Sequence, residues 1–354
     1  QMEHKQIDPE HLPPEAIGEC ELERPQPADE PITAMPVSES SDLFDEMRST
    51  IAKLEKDRTA RGDLKILSRT LLELRYAFKV FRPYRRRRKV TIFGSARTKP
   101  DQPDYQTAVK LGREMADHGW MVITGAGGGI MEAGHVGAGK EASMGLNIML
   151  PFEQGANHVI EGDPKLVTMK YFFTRKLMFV KECSAVVCCA GGFGTLDEAL
   201  ETLTLMQTGK QTMLPLVLLD SPEGSYWKDL GTFIDKQLLE GGMISPEDVA
   251  LYRITNDVDV AIDEILTFYR RYHSMRYVRD RLVFRLKETL SDEKMDEIRS
   301  QFSDILVDGT FEQSKALAEE AGEPDLAGLP RLVFHFNRRS LGKLRRLINT
   351  INAD

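Results

Sequence analysis

Residues 89–272 alternate short apolar runs with longer segments of helical periodicity. Such a short apolar run predicts a buried strand, and apolar residues spaced three and four apart predict the helix that follows it. This alternation favours a mostly parallel sheet covered by helices on both faces. We therefore expect an α/β, doubly wound, Rossmann-like domain over 89–272. Its predicted strands are 89–96, 120–125, 145–150, 184–189, 213–220 and 251–254, and its predicted helices are 105–116, 130–141, 171–182, 226–239 and 258–272.

Charge separates the first forty residues from the remainder. The chain has 55 acidic and 47 basic side chains, for a net charge of −8. Ten of the acids but only two of the bases, Lys5 and Arg24, lie within residues 1–40, which leaves 45 of each in the rest of the chain. Seven prolines accompany this charge. The composition predicts a disordered acidic tail over 1–41 and says little about a substrate.

The cysteines indicate a reducing environment. Cys20, Cys183, Cys188 and Cys189 lack the spacing of a metal site, and neighbouring Cys188 and Cys189 would point to opposite faces of a strand. No apolar run has membrane-spanning length, and no signal-peptide pattern opens the chain. We therefore expect a cytoplasmic protein with reduced thiols. The seven histidines show no metal-binding pattern, so no metal is expected either.

Three glycine clusters follow predicted strands and predict a phosphate site. They begin at Gly94, at Gly125 (GAGGG) and at Gly191 (GGFGT). Ligands of such sheets bind at the carboxyl ends of the strands, so the clusters should line one crevice. Glycines let the backbone approach an anion, which the N–H groups at the start of the next helix stabilise. The predicted phosphate-binding residues are Gly191, Gly192, Gly194 and Thr195.

Two alternatives to a phosphate site concern the glycines and their neighbours. Thr195-x-x-Glu198 also matches a capping box, in which the two side chains satisfy the start of a helix, although capping alone does not require three glycines. Gly134, Gly137 and Gly139 are interpreted as close helix-to-sheet packing, because Glu141 stands where a P-loop would have Ser or Thr.

A nicotinamide or flavin cofactor is disfavoured by the same turns. The dinucleotide fingerprint that starts at Gly125 fails, because its third glycine would fall on Ile130. No cofactor is expected.

The segments TGAGGGIMEA (124–133), Arg175-Lys176 and GGFGTLDE (191–198) resemble the LONELY GUY (LOG) family of nucleotide 5′-monophosphate phosphoribohydrolases, often mislabelled lysine decarboxylases. The likeness covers residues 89–272, about half of the chain. One departure is Ala190, where the family pattern PGGxGTxxE has proline. The chain is also longer than plant-type members, and long bacterial members of the family likewise have flanking regions.

The resemblance implies hydrolysis of the N-glycosidic bond of a nucleoside 5′-monophosphate, AMP-like or a cytokinin ribotide, to free base and ribose 5-phosphate. It implies Glu198 and Arg175 as catalytic residues. The carboxylate would stabilise positive charge at C1′, and the guanidinium would hold phosphate or assist the departing base. The implied nucleotide-binding residues are Gly94, Ser95, Thr124, Gly127, Gly128, Gly129, Met131 and Lys176. A homodimer or higher homo-oligomer is expected, since family members build their sites at dimer interfaces.

Several alternatives stay open from the residues alone. Arg175 also fits a solvated helix charge, Met131 fits a core residue, and residues 151–154 fit either a base-contacting segment or a polar loop. A non-catalytic nucleotide sensor on the same fold is the second hypothesis. Lysine decarboxylation is the third, and it would require pyridoxal phosphate on a lysine such as Lys176. Glycine loops do not identify the base.

The flanks of the predicted domain are interpreted as helical. Residues 42–88 should form helices with apolar stripes at Leu43, Met47, Ile51 and Leu54 and at Leu67, Leu71, Leu74 and Phe78, packed on the core or on another subunit. The basic run 82–89 fits a solvated linker, a partner of the acidic tail or a site for a phosphorylated effector, and nucleic acid is disfavoured. Residues 273–354 are expected to be an accessory helical region that ends in a helix with Leu341, Leu344, Ile348 and Ile351 on its apolar face.

Overall fold

The computed structural model describes residues 40–150 and 155–353, so the predicted acidic tail lies outside the described residues. The chain divides between Pro83 and Tyr84 into two compact units. Within the described residues, no helix combines the length and the apolar character that crossing a membrane requires.

The described part of the first unit consists of two helices, α1 (Ser41–Lys56) and α2 (Arg61–Phe81). Both amphipathic helices were expected, but their apolar stripes are not buried. Leu67, Leu71 and Phe78 are each more than 40% exposed, and α1 has no buried residue. Packing of these stripes on the core or on another subunit stays a prediction.

A seven-stranded parallel sheet forms the centre of the second unit, in the order β4-β3-β2-β1-β5-β6-β7. Its strands are β1 (Lys89–Phe93), β2 (Met121–Thr124), β3 (Ser143–Ile148), β4 (Leu166–Met169), β5 (Ala185–Cys189), β6 (Leu216–Leu219) and β7 (Arg253–Thr255). The helices that follow these strands are α3 (Pro103–Asp117), α4 (Ile130–Ala142), α5 (Phe172–Glu182), α6 (Phe193–Gln207), α7 (Tyr226–Phe233) and α8 (Val258–Phe268), with a π-helical segment at Ile234–Leu239 after α7.

The doubly wound α/β fold is thus confirmed. Strands β1 and β5 are fully buried, as expected for the central strands of a parallel sheet. The strand order reverses between β1 and β5, which pair in parallel with Val90 opposite Ala185. Ligands of doubly wound sheets bind at this reversal, beyond the carboxyl ends of the two strands.

Glycines explain how α3 and α4 approach each other. A side chain at Gly112 would overlap the carbonyl oxygen of Gly134, and one at Gly137 would overlap that of Val109. Gly134 also packs on β1 and β2, with Ile92 Cδ1 3.2 Å from the position of a Cβ. The interpretation as helix-to-sheet packing therefore holds for Gly134, whereas Gly137 serves helix-to-helix packing. Gly139 has a φ of +73° and interrupts α4.

The C-terminal region is not the helical appendage that was expected. Its centre is a four-stranded antiparallel sheet in the order β10-β11-β9-β8. The strands are β8 (Tyr272–Val278), β9 (Arg281–Leu286), β10 (Glu312–Ser314) and β11 (Arg331–Phe334), and two helices, α9 (Asp292–Phe302) and α10 (Leu341–Asn352), accompany them. Only the final amphipathic helix matches the prediction, and its Leu341, Leu344, Ile348 and Ile351 are buried.

Buried charges in these strands explain the error. Arg285 and Arg331 lie inside β9 and β11 and are 4% and 0% exposed, although charged residues in sequence indicate a surface. Both donate from Nε to Glu320, at 2.9 Å each. These hydrogen bonds and the two positive charges hold the pKa of Glu320 at about 2, although its burial acts in the opposite direction. The three side chains of Arg285, Glu320 and Arg331 thus form a buried ionic cluster that no local sequence pattern predicts.

The basic run is also built into the second unit. Arg86 pairs with Asp325. Arg88 stacks 3.5 Å from the ring centre of Tyr269 and donates a 3.0 Å hydrogen bond to the carbonyl of His273. Lys89 is 2% exposed and lies 3.6 Å from Glu182. Neither Arg88 nor Lys89 is therefore part of a solvated linker, because both contact neighbouring strands and helices.

Candidate active site

The three glycine clusters meet at Ser95, directly after β1. The amide of Ser95 donates to the carbonyl of Ala190 at 3.0 Å, and its own carbonyl accepts from the amide of Ile130 at the same distance. A Cβ on Gly191 would lie 2.9 Å from the Ser95 nitrogen, and one on Gly94 would lie 2.6 Å from Ile130. The structure therefore brings Gly94 and Ser95 together with both other clusters at the point where the strand order reverses.

The turn after β5 is open on the side where a ligand would lie. Nothing lies within 4 Å of a Cβ built on Gly192 or Gly194, whereas one on Gly191 would overlap Oγ1 of Thr195. None of the three has a positive φ, so close approach explains Gly191, whereas Gly192 and Gly194 leave open space beside the backbone. The hydroxyl of Tyr226 donates to the carbonyl of Gly191 at 2.7 Å. Tyr226, which the motif does not include, thus holds this turn in place.

The capping box is not formed. Helix α6 begins at Phe193 with Gly192 as its N-cap, and the amides of Thr195 and Leu196 donate to the Gly192 carbonyl at 3.0 and 3.2 Å. Thr195 is therefore inside the first turn. Glu198 lies a further turn along and does not fold back onto a cap, so its carboxylate is not occupied by a capping role.

Glu198 is a nearly buried carboxyl group. It is 9% exposed and lines a small, mostly apolar cavity with Phe93, Phe179 and Leu214. Desolvation raises its pKa to about 7, although the charges of Lys176 and Arg175 act in the opposite direction. Among the described residues its carboxylate accepts no hydrogen bond. A carboxyl group with a pKa near neutrality suits a role as a charge stabiliser or a proton acceptor.

Arg175 is held against the glycine loop 125–129. Its Nε donates to the carbonyl of Leu146 on β3 at 2.8 Å, and its guanidinium carbon lies 5.1 Å from the ring centre of Phe179. A side chain at Gly125 would overlap the guanidinium and the sulfur of Met131. The alternative of a solvated helix charge is therefore wrong. Met131, partly exposed, packs on the loop glycines.

Lys176 links α5 to α6. Its Nζ lies 2.6 Å from both Asp197 and Glu201, which flank Glu198. Burial lowers the pKa of Lys176, but these hydrogen bonds outweigh it and the pKa is raised above its ordinary value. Lys176 thus places a positive charge near Glu198, but that charge is already paired with the carboxylates of Asp197 and Glu201.

The glycine loop carries the remaining predicted residues. Thr124 ends β2 and is buried, and its hydroxyl accepts from the amide of Ala126 at 3.0 Å. Gly128 lies near the carbonyl of Ala96. Gly129 has a φ of +62°, and a side chain there would overlap the carbonyl oxygen of Ser95. The predicted Gly127 is partly exposed to solvent, and its free side faces the side chain of Met131. Residues 151–154 lie outside the described residues.

Sequence patterns missed the groups that support the site from beneath. His135 and Asn157 form a buried network under the loop, and Tyr226 bonds to the turn at Gly191. A histidine among small helical residues and an asparagine in a loop carry no spacing signal. The one available signal is that a polar residue inside an apolar helix face needs a buried partner.

Comparison with known proteins gives a consistent result. A family model described as "Possible lysine decarboxylase" matches residues 128–265. A cytokinin riboside 5′-monophosphate phosphoribohydrolase of Arabidopsis thaliana is 31% identical over 166 residues, which cover 45% of this chain and 72% of that protein. A second enzyme of that name from the same plant is also 31% identical, with 45% of this chain and 73% of that protein covered.

Solved structures resemble about half of the chain. The molybdenum cofactor binding protein of Rippkaea orientalis has 19% sequence identity and a TM-score of 0.36, with 51% of this chain and 97% of that one covered. The molybdenum cofactor carrier protein of Chlamydomonas reinhardtii has 23% identity and a TM-score of 0.35, with 51% and 99% covered. With two curated relatives matched over more than two thirds of their length, the chain belongs to the LONELY GUY family of phosphoribohydrolase enzymes.

Proposed function

We propose that the protein hydrolyses the N-glycosidic bond of nucleoside 5′-monophosphates and releases the free base and ribose 5-phosphate. The observation that carries this proposal is the position of Glu198, a nearly buried carboxyl group about one helical turn beyond an open glycine turn. A 5′-phosphate bound by Gly192, Gly194 and Thr195 would place the ribose within reach of that carboxylate. The names of the relatives support the same reaction class.

The chemistry follows from charge. Cleavage at C1′ develops oxocarbenium-like positive charge on the ribose, and a carboxylate in a site of low polarity stabilises that charge more strongly than it would in water. Glu198 is the group for this role and for orienting water. Arg175, fixed by Leu146 and Phe179, supplies positive charge to the phosphate or to the departing base. The proposed reaction requires no redox cofactor.

A test is to incubate purified protein with a panel of nucleoside 5′-monophosphates, including AMP and a prenylated AMP, and to quantify base and ribose 5-phosphate by chromatography. Glu198→Gln is expected to lower kcat about 100-fold or more. Glu182→Gln is the matched control, because the side chain of Glu182 is also only 8% exposed but lies at the far end of α5 beside Lys89. Nucleotides that bind without cleavage would favour the nucleotide sensor instead. The panel also ranks adenine against prenylated adenine.

Lysine decarboxylation receives no support from the site. The lysine within the matched motifs, Lys176, is ion-paired to Asp197 and Glu201. These carboxylates raise its pKa, whereas a Schiff-base lysine needs a neutral amine. A pyridoxal phosphate aldimine on Lys176 does not fit this arrangement, and an absorbance scan for an aldimine tests it.

We propose a homodimer or higher homo-oligomer. Supporting this are large apolar side chains that α5 and α6 expose beside the site. Phe172 and Phe173 are each 53% exposed, and Phe193, between Gly192 and Gly194 in the turn after β5, is 92% exposed. Apolar clusters of this kind mark interaction surfaces. Light scattering of the protein should give a mass of at least two chains, and Phe193→Asp should shift it toward one.

A phosphorylated effector that binds the basic run 82–89 is also proposed, and cleavage rates that a phosphorylated guanine nucleotide leaves unchanged would count against it. The partners found for Arg86 and Arg88 leave fewer free basic groups for such an effector in the run 84–89. A cytoplasmic location is likewise proposed. Cys183, Cys188 and Cys189 support it as free thiols whose pKa values burial raises. Cell fractionation tests the location.

A further inference from the structure

A buried hydrogen-bond network lies beneath the glycine loop 125–129. Its centre is His135 on α4, which is 0% exposed. The ring Nε2 lies 3.0 Å from the carbonyl oxygen of Met144 and 3.1 Å from the hydroxyl of Thr124. On the other side of the ring, Nδ1 lies 3.2 Å from Nδ2 and 3.4 Å from Oδ1 of Asn157. The imidazole therefore connects the end of β2, strand β3 and Asn157, which lies between β3 and β4.

One arrangement of hydrogens satisfies this network. The Met144 carbonyl can only accept, so Nε2 must carry the hydrogen and Nδ1 must be the acceptor. Asn157 then donates one N–H to Nδ1 and the other to the carbonyl of Gly127 at 3.0 Å. Burial lowers the pKa of His135 to about 4, which keeps the ring neutral near pH 7. A protonated ring would carry a second N–H on Nδ1, so Nδ2 of Asn157 could no longer donate to it.

The network fixes a strained backbone. Ala126 has a φ of +63°, a left-handed conformation that costs a residue other than glycine about 1 kcal/mol. Its amide donates to Thr124 Oγ1 at 3.0 Å, and its carbonyl accepts from the amide of Asn157 at 2.7 Å. Such strain persists where the surroundings over-determine the conformation. Here Thr124 and Asn157 hold Ala126 from both sides.

The held loop lies directly against Arg175. No side chain larger than hydrogen fits at Gly125 without overlapping the guanidinium. Strand β3 anchors both parts, because the carbonyl of Met144 receives His135 and that of Leu146 receives Arg175. A shift of the loop would therefore change the space in front of Arg175.

We propose that His135 and Asn157 are positioning residues that hold the loop 125–129 in register with Arg175 for glycosidic cleavage. This rests on the proposed function. Neither side chain touches the ligand, and both act through the backbone of Ala126 and Gly127.

The test compares two buried asparagines. Asn157→Ala removes the bonds to Gly127 and His135. Asn352→Ala is the matched control, because Asn352 is 1% exposed and its side chain accepts from the amides of Arg271 and Tyr272 and donates to the carbonyl of Phe268. With both variants folded at the assay temperature, Asn157→Ala should lose kcat about 10- to 100-fold, whereas Asn352→Ala should stay within about twofold of the parent. Equal kcat values in the two variants would overturn the proposal.

Conservative rescue separates positioning from packing. The amide of His135→Gln has one group that donates to Met144 and one that accepts from Asn157, as the neutral ring does, so this variant should keep most of kcat. His135→Leu fills similar space without either bond and should lose kcat as Asn157→Ala does. Similar kcat values for the Gln and Leu variants would contradict the role of the hydrogen bonds.

A second measurement is independent of turnover. Amide hydrogen exchange of a peptide that covers 124–130 should be faster in Asn157→Ala than in the parent, and unchanged in Asn352→Ala. If the parent cleaves no nucleotide, the proposed function fails, and this exchange still decides whether the network holds the loop. Unchanged exchange in Asn157→Ala would refute the network's role.

Discussion

The burial of Glu198 should make the free energy of unfolding depend on pH in a way that Glu198→Gln abolishes. Its pKa is raised by desolvation from an ordinary 4.5 to about 7, so between these values the folded protein binds a proton that the unfolded chain has lost. Stability from this group is therefore fully present below about pH 4.5 and is lost as the pH rises through about 7. Glutamine resembles the protonated side chain at every pH.

The magnitude follows from the pKa difference. A shift of about 2.5 pKa units, at about 1.36 kcal/mol per unit, corresponds to about 3 kcal/mol at full ionisation. Between pH 5 and pH 8, the unfolding free energy of Glu198→Gln should accordingly rise by about 2 to 3 kcal/mol relative to the parent. Above about pH 7 the parent would then be less stable than Glu198→Gln, as expected if this carboxylate is kept from water for the proposed function.

Urea unfolding at pH 5 and pH 8 measures this difference, since the midpoint and slope give the free energy at each pH. Asp197→Asn is the control, because Asp197 is on the same helix but its side chain is 57% exposed. If the difference between Glu198→Gln and the parent is the same at both pH values, the carboxyl group is not desolvated and the reasoning from burial fails.

Three further outcomes are expected. If the ionised Glu198 stabilises positive charge at C1′, kcat/KM should fall about tenfold per pH unit below about 7, and a pH-independent profile would argue against that role. Gly191→Ala should lower both stability and activity, because its methyl group would overlap Thr195. Gly192→Ala should leave the melting temperature nearly unchanged and raise KM, because its methyl group would obstruct the open face of the turn. A lower melting temperature for Gly192→Ala than for Gly191→Ala in calorimetry would contradict the geometry of the turn. Glu320→Gln leaves two buried arginines without their shared carboxylate and should cost about 3–5 kcal/mol of unfolding free energy, with a loss under about 1 kcal/mol counting against a buried ionic cluster.

The sequence predicts the parallel sheet because buried parallel strands are continuous apolar runs. The runs at 89–96 and 184–189 contain β1 and β5, and glycines follow both strands, at Gly94 and at Gly191. Strand β4 (Leu166–Met169) was missed. It has four residues with alternating burial at the sheet edge, so neither length nor periodicity separates it from a loop.

The C-terminal sheet could not be predicted from local patterns. Strands β9 and β11 contain Arg285 and Arg331, whose charges are neutralised by Glu320 from a distant segment. The same principle explains Arg88, which a ring of Tyr269 covers. Burial of a charge depends on a partner remote in sequence, whereas periodicity reports only neighbours.

The candidate site was predictable in its glycines and charges but not in its support. The motif identified Glu198 and Arg175, and the structure places both beside the glycine clusters. The capping box failed because the helix begins at Phe193, two residues earlier than Thr195. A short motif fits several helix starts equally well, and only the path of the backbone decides among them.

Phe193 has a consequence for how activity should be measured. This residue stands between Gly192 and Gly194, and 92% of its surface is exposed. If this turn binds the nucleotide as proposed, a second chain that covered the ring would contact the turn, and association and ligand binding would be thermodynamically linked. Specific activity would then rise with enzyme concentration across the dissociation constant of the oligomer, and saturating nucleotide would shift that dependence to lower concentrations.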